Sequence, residues 1–317
     1  MVIRRALGRL TETPLQNTIC LKTEFSRFIW KAASGEAVQS GSSRIMKWYE
    51  LGAQNPGLLA GLALLLPFLL FAALPTILAT HDPIKTSIRE LYMPPSAEHF
   101  FGTDELGRDV YSRVVHGARI SLVSASLIIG IACLIGVVLG TVAGYWGGWS
   151  DRAIMTLVDL VLAFPSLILA LAVSAALGSG LRSAIIAAAA VWWPVYARLL
   201  RGITLQLAEM EFVTAARAMG ASAPRIILRH ILPNAIYAII VRISIDLGLA
   251  VLLLASLSFI GLGASAPTPE WGAMVAWGRL YFLTEWWIGG FPALAITLVV
   301  IAITMLGDGL NDLRTIR

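Results

Sequence analysis

The sequence predicts an all-α membrane protein with six transmembrane helices. Three observations carry that expectation. Of 317 residues, 57% are hydrophobic and 14% charged, whereas ordinary soluble domains carry about 25% charged residues. The mean hydropathy is +0.78. Long uncharged stretches recur, and a run of roughly 20 apolar residues rises about 30 Å as a helix, enough to cross the hydrocarbon core with every backbone group satisfied internally.

The first span is residues 57–79 and the second 120–144, both without a charge. The third, 154–177, is interrupted only by Asp159, and Gly178-Ser179-Gly180 supplies a flexible turn after it. The fourth, 183–200, is short between Arg182 and Arg198 and crosses only if those arginines snorkel to the headgroups. The fifth, 235–262, contains Arg242 and Asp246, and the sixth is 286–306. Residues 1–50 form a cytoplasmic tail and 51–317 the membrane domain. In the tail, Phe25, Phe28, Ile29 and Trp30 make either one amphipathic turn on the inner leaflet or part of a poorly ordered segment.

Cytoplasmic segments retain Lys and Arg. With the N-terminus inside, they hold 16 of the 24 basic residues, and the opposite face holds seven. Both termini are therefore expected inside, and the net charge of +5 is a topology signal with no concentrated basic domain for nucleic acid. Cys20 and Cys133 are the only cysteines, so neither a disulfide framework nor a metal knuckle is expected. No cleavable signal peptide is expected either, since the first apolar run starts some fifty residues in, at full spanning length.

Charges inside spans call for partners, because one at mid-bilayer costs about 2.5 to 3.5 kcal/mol on insertion scales. Arg242 and Asp246, four residues apart, share a helix face and are expected to pair, with direct substrate contact as the other reading. Asp159 is expected near Arg152 at the interface. Gly136, Gly140 and Gly144 form a small-residue ridge, expected to pack on a helix of this chain or of a partner, or else to face lipid. Pro165 and Pro194 are expected to kink their helices. The 263–285 loop holds Trp271, Trp277 and Tyr281, either an interfacial belt or the lining of an outer mouth.

The 201–234 segment is a polar island of small and charged residues. It suits two short helices, the first ended by Gly220 at positive φ and the second capped by Ser222 ahead of Pro224. Physical chemistry alone leaves it either an ordinary connector or a docking site.

Thr214-Ala215-Ala216, Gly220 six residues after Thr214, and Leu232-Pro233 twelve and thirteen beyond the glycine resemble the EAA loop of ABC-importer permeases. Thr214 replaces the motif's Glu, with Glu211 the nearest carboxylate upstream, and His230 replaces an apolar residue. In that family the loop is a coupling helix seated in a groove of the ATP-hydrolysing subunit. The resemblance implies this role for Glu211, Thr214, Ala215, Ala216, Arg217, Gly220, Ala221, His230, Leu232 and Pro233. A second set narrows the subfamily. Phe101-Gly-Thr-Asp-Glu-Leu-Gly-Arg-Asp-Val-Tyr-Ser-Arg113, Gly117-Ala-Arg-Ile-Ser-Leu122, Ala163-Phe-Pro-Ser166, Pro267-Thr-Pro-Glu-Trp-Gly272 and Leu306-Gly-Asp-Gly-Leu310 resemble the C-type subunit of dipeptide/oligopeptide/nickel permeases. The chain departs from that pattern only at its end, from Asn311.

This resemblance implies a multi-pass subunit of the cytoplasmic membrane with the type I ABC-importer permease fold. Its implied partners are a homologous second permease, two ABC ATPase subunits, an extracytoplasmic solute-binding protein and membrane lipid, with peptide or nickel as cargo. ATP and Mg belong to the ATPases. The chain has no Gly-x4-Gly-Lys-Ser/Thr loop and no lysine after Lys85, so no cofactor, metal or catalytic residue is expected here. The histidines His81, His99, His116 and His230 lie in loops or beside helix ends and join no Ser/His/Asp constellation. An ion-coupled secondary transporter and a non-transporting scaffold are the alternatives; inverted repeats or several mid-membrane carboxylates would mark the former.

Overall fold

The computed structural model describes residues 56–315, so the tail readings lie outside the described residues. Gly57–Arg317 forms one compact unit; among the described residues its regular elements are helices joined by loops, with an isolated bridge between Thr103 and Asp109.

Helix α1 spans Pro56–Ala73. It stops short of residue 79 because Pro75 disfavours a helical conformation at Leu74, whose φ and ψ are −126° and 47°; a single turn, α2 (Pro75–Leu78), follows. Helix α3 is Val110–Trp146, begun by the Asp109 side chain accepting from Ser112 N and ended by Gly147 at φ 63°. Its 37 residues rise about 55 Å, so it starts ten residues before the expected span and projects beyond a bilayer core of about 30 Å.

The third span is not one helix. Helices α4 (Gly148–Leu162) and α5 (Ser166–Leu177) meet at 94° around Pro165. Pro194, by contrast, sits inside the unbroken α6, Leu181–Ala208. That helix runs eight residues past the expected end, and two of its arginines pair with α4. Arg201 forms a two-pronged pair with Asp151 of α4, Nη2 to Oδ2 at 2.7 Å, and Arg198 reaches Asp159 at 2.6 Å. Asp159 thus pairs across to α6 and not with Arg152.

Residues 201–234 are mostly helix. After α6 comes α7 (Glu211–Ala218), then α8 (Ala223–Ile226), which runs through a π turn at Ile227–Ile231 into α9, Leu232–Phe259. The expected second short helix is therefore the start of a 37-residue element. Ser222 holds the N-cap position, but its side chain makes no capping bond. The wide turn coincides with Pro233, which has no N–H to offer the Arg229 carbonyl. Helices α10 (Trp271–Gly278) and α11 (Trp287–Thr315) complete the unit. Five helices are long and apolar enough to span, and the bent pair makes up to six.

The core is built on α3 and α6, with α9 and α11 packed around them. The glycine ridge makes the close approach possible. A Cβ at Gly140 would run into the Ala197 backbone, and one at Gly144 would lie 2.8 Å from the Arg201 carbonyl oxygen. The ridge's partner is thus α6 of the same chain. Trp271 stands beside Val114 near the start of α3 and Arg217 beside Tyr145 near its end, so α10 and α7 occupy opposite ends of the bundle.

Candidate functional site

Helix α7 carries Glu211 in its first turn and Arg217 in its last, the polarity the helix dipole favours. Val213 and Ala216, one turn apart, are buried in a small cluster with Ile226 and Ile231, flanked by Tyr145, Leu207, Ala221 and Ile227. This cluster is separate from the main core, so α7 rests on its own apolar seat. Its other face is open: Glu211, Phe212, Thr214, Ala215 and Ala218 are exposed. The Thr214 hydroxyl donates to the Met210 carbonyl at 3.4 Å, within the helix itself.

The end of α7 is tightly defined. Gly220 N donates to Arg217 O at 2.9 Å and Ala221 N to Ala216 O at 3.0 Å, the paired bonds of a Schellman termination. Gly220 has φ +81°, as expected, and a Cβ there would meet no atom within 4 Å. The glycine therefore answers a backbone requirement, and the space beside it is open. Ala221 packs on the Ala216 cluster, the apolar contact that accompanies such caps.

Two aromatic contacts tie α7 to the long helices. The Arg217 guanidinium carbon lies 5.3 Å from the centroid of the Tyr145 ring, near the end of α3. Phe212 and His230 are 6.2 Å apart between centroids, which joins α7 to the π turn. The His230 carbonyl accepts from Asn234 Nδ2 at 2.6 Å. Leu232 and Pro233 begin α9, set back from α7, with Leu232 packed against the Leu200–Ala235–Ile239 cluster. The ten residues assigned to this loop thus divide: Ala216 and Ala221 hold the seat, Gly220 the turn, Glu211, Thr214 and Ala215 the open face, Arg217 and His230 the aromatic contacts, and Leu232 and Pro233 the start of α9.

The 201–234 segment also exposes large apolar groups that spacing alone did not single out. Met219 is 83% exposed, and Phe212 and Leu228 stand out as well. The available sequence signal was their presence inside an otherwise small and charged segment.

Arg242 Nε and Asp246 Oδ2 are 2.8 Å apart. Asp246 is wholly buried with its Oδ1 unpartnered among the described residues, while the Arg242 side chain is 38% exposed. At the other end of the bundle the three aromatic candidates separate. Trp271 is buried and not at a mouth: its indole N–H donates to Val114 O at 2.9 Å and Phe68 meets its ring edge-on. Trp277 and Tyr281 line a cavity of about 260 Å³ with Glu105, Arg108, Arg113 and Thr268. Buried Glu270 caps α10, accepting from Gly272 N and Ala273 N at 3.0 and 2.9 Å.

Residues 136–314 match the family model described as "Binding-protein-dependent transport system inner membrane component". The chain is 46% identical to the probable D,D-dipeptide transport system permease protein DdpC of Escherichia coli (strain K12), over 74% of its length and 79% of that protein. It is 42% identical to the dipeptide transport system permease protein DppC of Alkalihalophilus pseudofirmus, over 84% and 89% respectively. Identity to the glutathione transport system permease protein GsiD of Pectobacterium atrosepticum is 45%, over 69% and 72%. Among solved structures, an inward-facing form of the MetNI methionine ABC transporter aligns with TM-score 0.51 and 21% identity, over 65% of this chain and 96% of the matched one. This likeness concerns the fold.

Proposed function

Because the chain belongs to the family of binding-protein-dependent transport system inner membrane components, and is thus a multi-pass permease subunit of an ABC importer in the inner membrane, we propose that it forms part of the path for short peptides and engages an ATPase subunit through α7. Its relatives carry names of dipeptide, D,D-dipeptide and glutathione systems, which favours a peptide over nickel as cargo. The reading has the α7 end facing the cytoplasm, in line with the distribution of basic residues.

The observation that carries the coupling reading is the construction of α7. A short helix rests on its own apolar seat, closed by a Schellman turn; it exposes Phe212, and Met219 just after it and Leu228 of the π turn are exposed as well, at the end of the bundle opposite Trp271. Such a unit moves as a body and transmits force through Tyr145 to α3 and through the continuous α8–α9 helix. A homologous permease, two ATPase subunits and an extracytoplasmic binding protein complete the proposed complex. ATP and Mg reside in the ATPases, whose closure carries α7 and rotates the two permeases toward an outward-open path.

Reconstituted vesicles test this. Uptake of a di- or tripeptide should require ATP and the binding protein, and should survive collapse of the ion gradients. Uptake that persists without ATP and stops with an ionophore would instead establish a secondary transporter. A ligand screen on the cognate binding protein distinguishes peptide from nickel.

A further inference from the structure

We propose that His81, His99 and Asp109, at the end of the bundle opposite α7, form a binding site for a divalent transition metal of the zinc class. One ligand atom from each lies within 4.8 Å of the others. His99 Nδ1 is 3.0 Å and His81 Nδ1 4.0 Å from Asp109 Oδ1, and the two imidazole centroids are 4.7 Å apart. Two imidazoles and a carboxylate make a ligand set suited to zinc, with bond lengths of about 2.0 to 2.2 Å, and the remaining position goes to water. Shifts of under about 1 Å bring the three atoms to the roughly 3.4 Å spacing that tetrahedral ligands at those lengths need.

Charge argues for the cation. The same loop holds two buried aspartates. Asp104 is neutralised by arginine: Arg108 Nε lies at 2.7 Å and Arg113 Nε at 3.5 Å. Asp109 has no Lys or Arg within 4.0 Å among the described residues; the two imidazoles approach its Oδ1, while Thr80 Oγ1 at 3.4 Å and Ser112 N at 2.7 Å donate to its Oδ2. A buried carboxylate without a counter-charge is costly, and a divalent ion supplies one in place of the His99 Nδ1–Asp109 Oδ1 hydrogen bond, leaving the bonds of Asp109 Oδ2 intact. That oxygen already serves the helix, accepting from Ser112 N at 2.7 Å, which leaves Oδ1 to face the histidines.

The surroundings are built to hold the donors in place. His99 sits in a turn where its N–H donates to Ser96 Oγ at 3.1 Å and its carbonyl accepts from Ser96 N and Gly102 N. The His81 N–H donates to Ser112 Oγ at 2.9 Å. His99 and Asp109 are buried, while the His81 side chain is 40% exposed and provides the route of entry. A bound ion would pin the segment after α2 and the 96–102 turn to the start of α3.

The test uses the full chain in lipid nanodiscs, purified through a histidine-free tag with the subunits that accompany it, stripped with chelator and titrated with zinc alone. Bound metal is counted by elemental analysis and stability followed by thermal shift. Wild type should take up one zinc more per chain than His81→Ala, with affinity at least about tenfold higher, and zinc should raise its melting temperature alone. Asp109→Asn preserves the helix cap and should also lose the zinc. Equal zinc retention by wild type and both variants overturns the proposal. So does the absence of zinc binding in wild type.

Discussion

Arg217 of α7 lies over the ring of Tyr145, 5.3 Å from guanidinium carbon to centroid, and this contact joins the short helix to the end of the 37-residue α3. A contact of this kind contributes about 0.5–1 kcal/mol at an exposed site. Tyr145→Leu should therefore weaken the link, and Tyr145→Phe should keep most of it. Peptide-stimulated ATP hydrolysis in reconstituted vesicles should fall by about two- to fivefold in the leucine variant, with basal hydrolysis unchanged. An equal loss in both variants would remove the cation–π explanation.

Gly220 has φ +81° with open space beyond it. A β-branched residue there strains the backbone by about 1–2 kcal/mol or more, whereas asparagine tolerates the left-handed region. Gly220→Val should thus fray the end of α7 and uncouple ATP hydrolysis from uptake while the complex still co-purifies. Gly220→Asn should retain most transport. Normal uptake by the valine variant would contradict the docking role.

Gly140 and Gly130 lie in the same helix but in opposite circumstances. A Cβ at Gly140 collides with the Ala197 backbone, and one at Gly130 meets nothing within 4 Å. Gly140→Leu should separate α3 from α6 and lower the melting temperature markedly. Gly130→Ala should be neutral or stabilise by about 0.5–1 kcal/mol, since alanine loses less entropy in a helix. Melting temperatures of the purified variants decide between these outcomes, and similar values would refute the assigned packing.

Removing Arg242 alone strands the buried Asp246 carboxylate. Arg242→Met should cost on the order of 3 kcal/mol, and the double replacement Arg242→Met with Asp246→Leu should recover much of that loss. A double-mutant cycle in thermal stability measures it. Strict additivity of the two single changes would show that the pair contributes nothing. A selective loss of peptide uptake at unchanged stability would instead favour substrate contact by Arg242.

The glycine ridge shows how far local sequence reaches. Residues 136, 140 and 144 announce a packing face through their spacing, but not that the opposing surface is Ala197 and Arg201 of α6. Trp271 shows the limit more sharply. Its position in a polar loop rich in prolines reads as an interfacial aromatic or the lining of an outer mouth, yet Val114 and Phe68 converge on it from distant parts of the chain and bury it. Pro165 was legible as a bend, but a right-angled break was not, because its size depends on where α4 and α5 find partners. Tyr145 carried no local sign of a link to Arg217, 72 residues away.

By itself the sequence determined the solvent and the periodic elements: uncharged runs of spanning length require helices in lipid, and Gly220 requires a left-handed turn wherever its helix ends. Its ordered motifs also carried the family. Tertiary structure decided what faces what. Arg198 and Arg201 of α6 found their partners on α4, and a separate apolar seat formed under Val213 and Ala216 of the polar interruption. At the opposite end, His81, His99 and Asp109 came together from three segments. The physical reason is common to all three. Backbone hydrogen bonds and burial in lipid are local or compositional demands, whereas ion pairs, apolar seats and ligand clusters need groups far apart in the chain to meet.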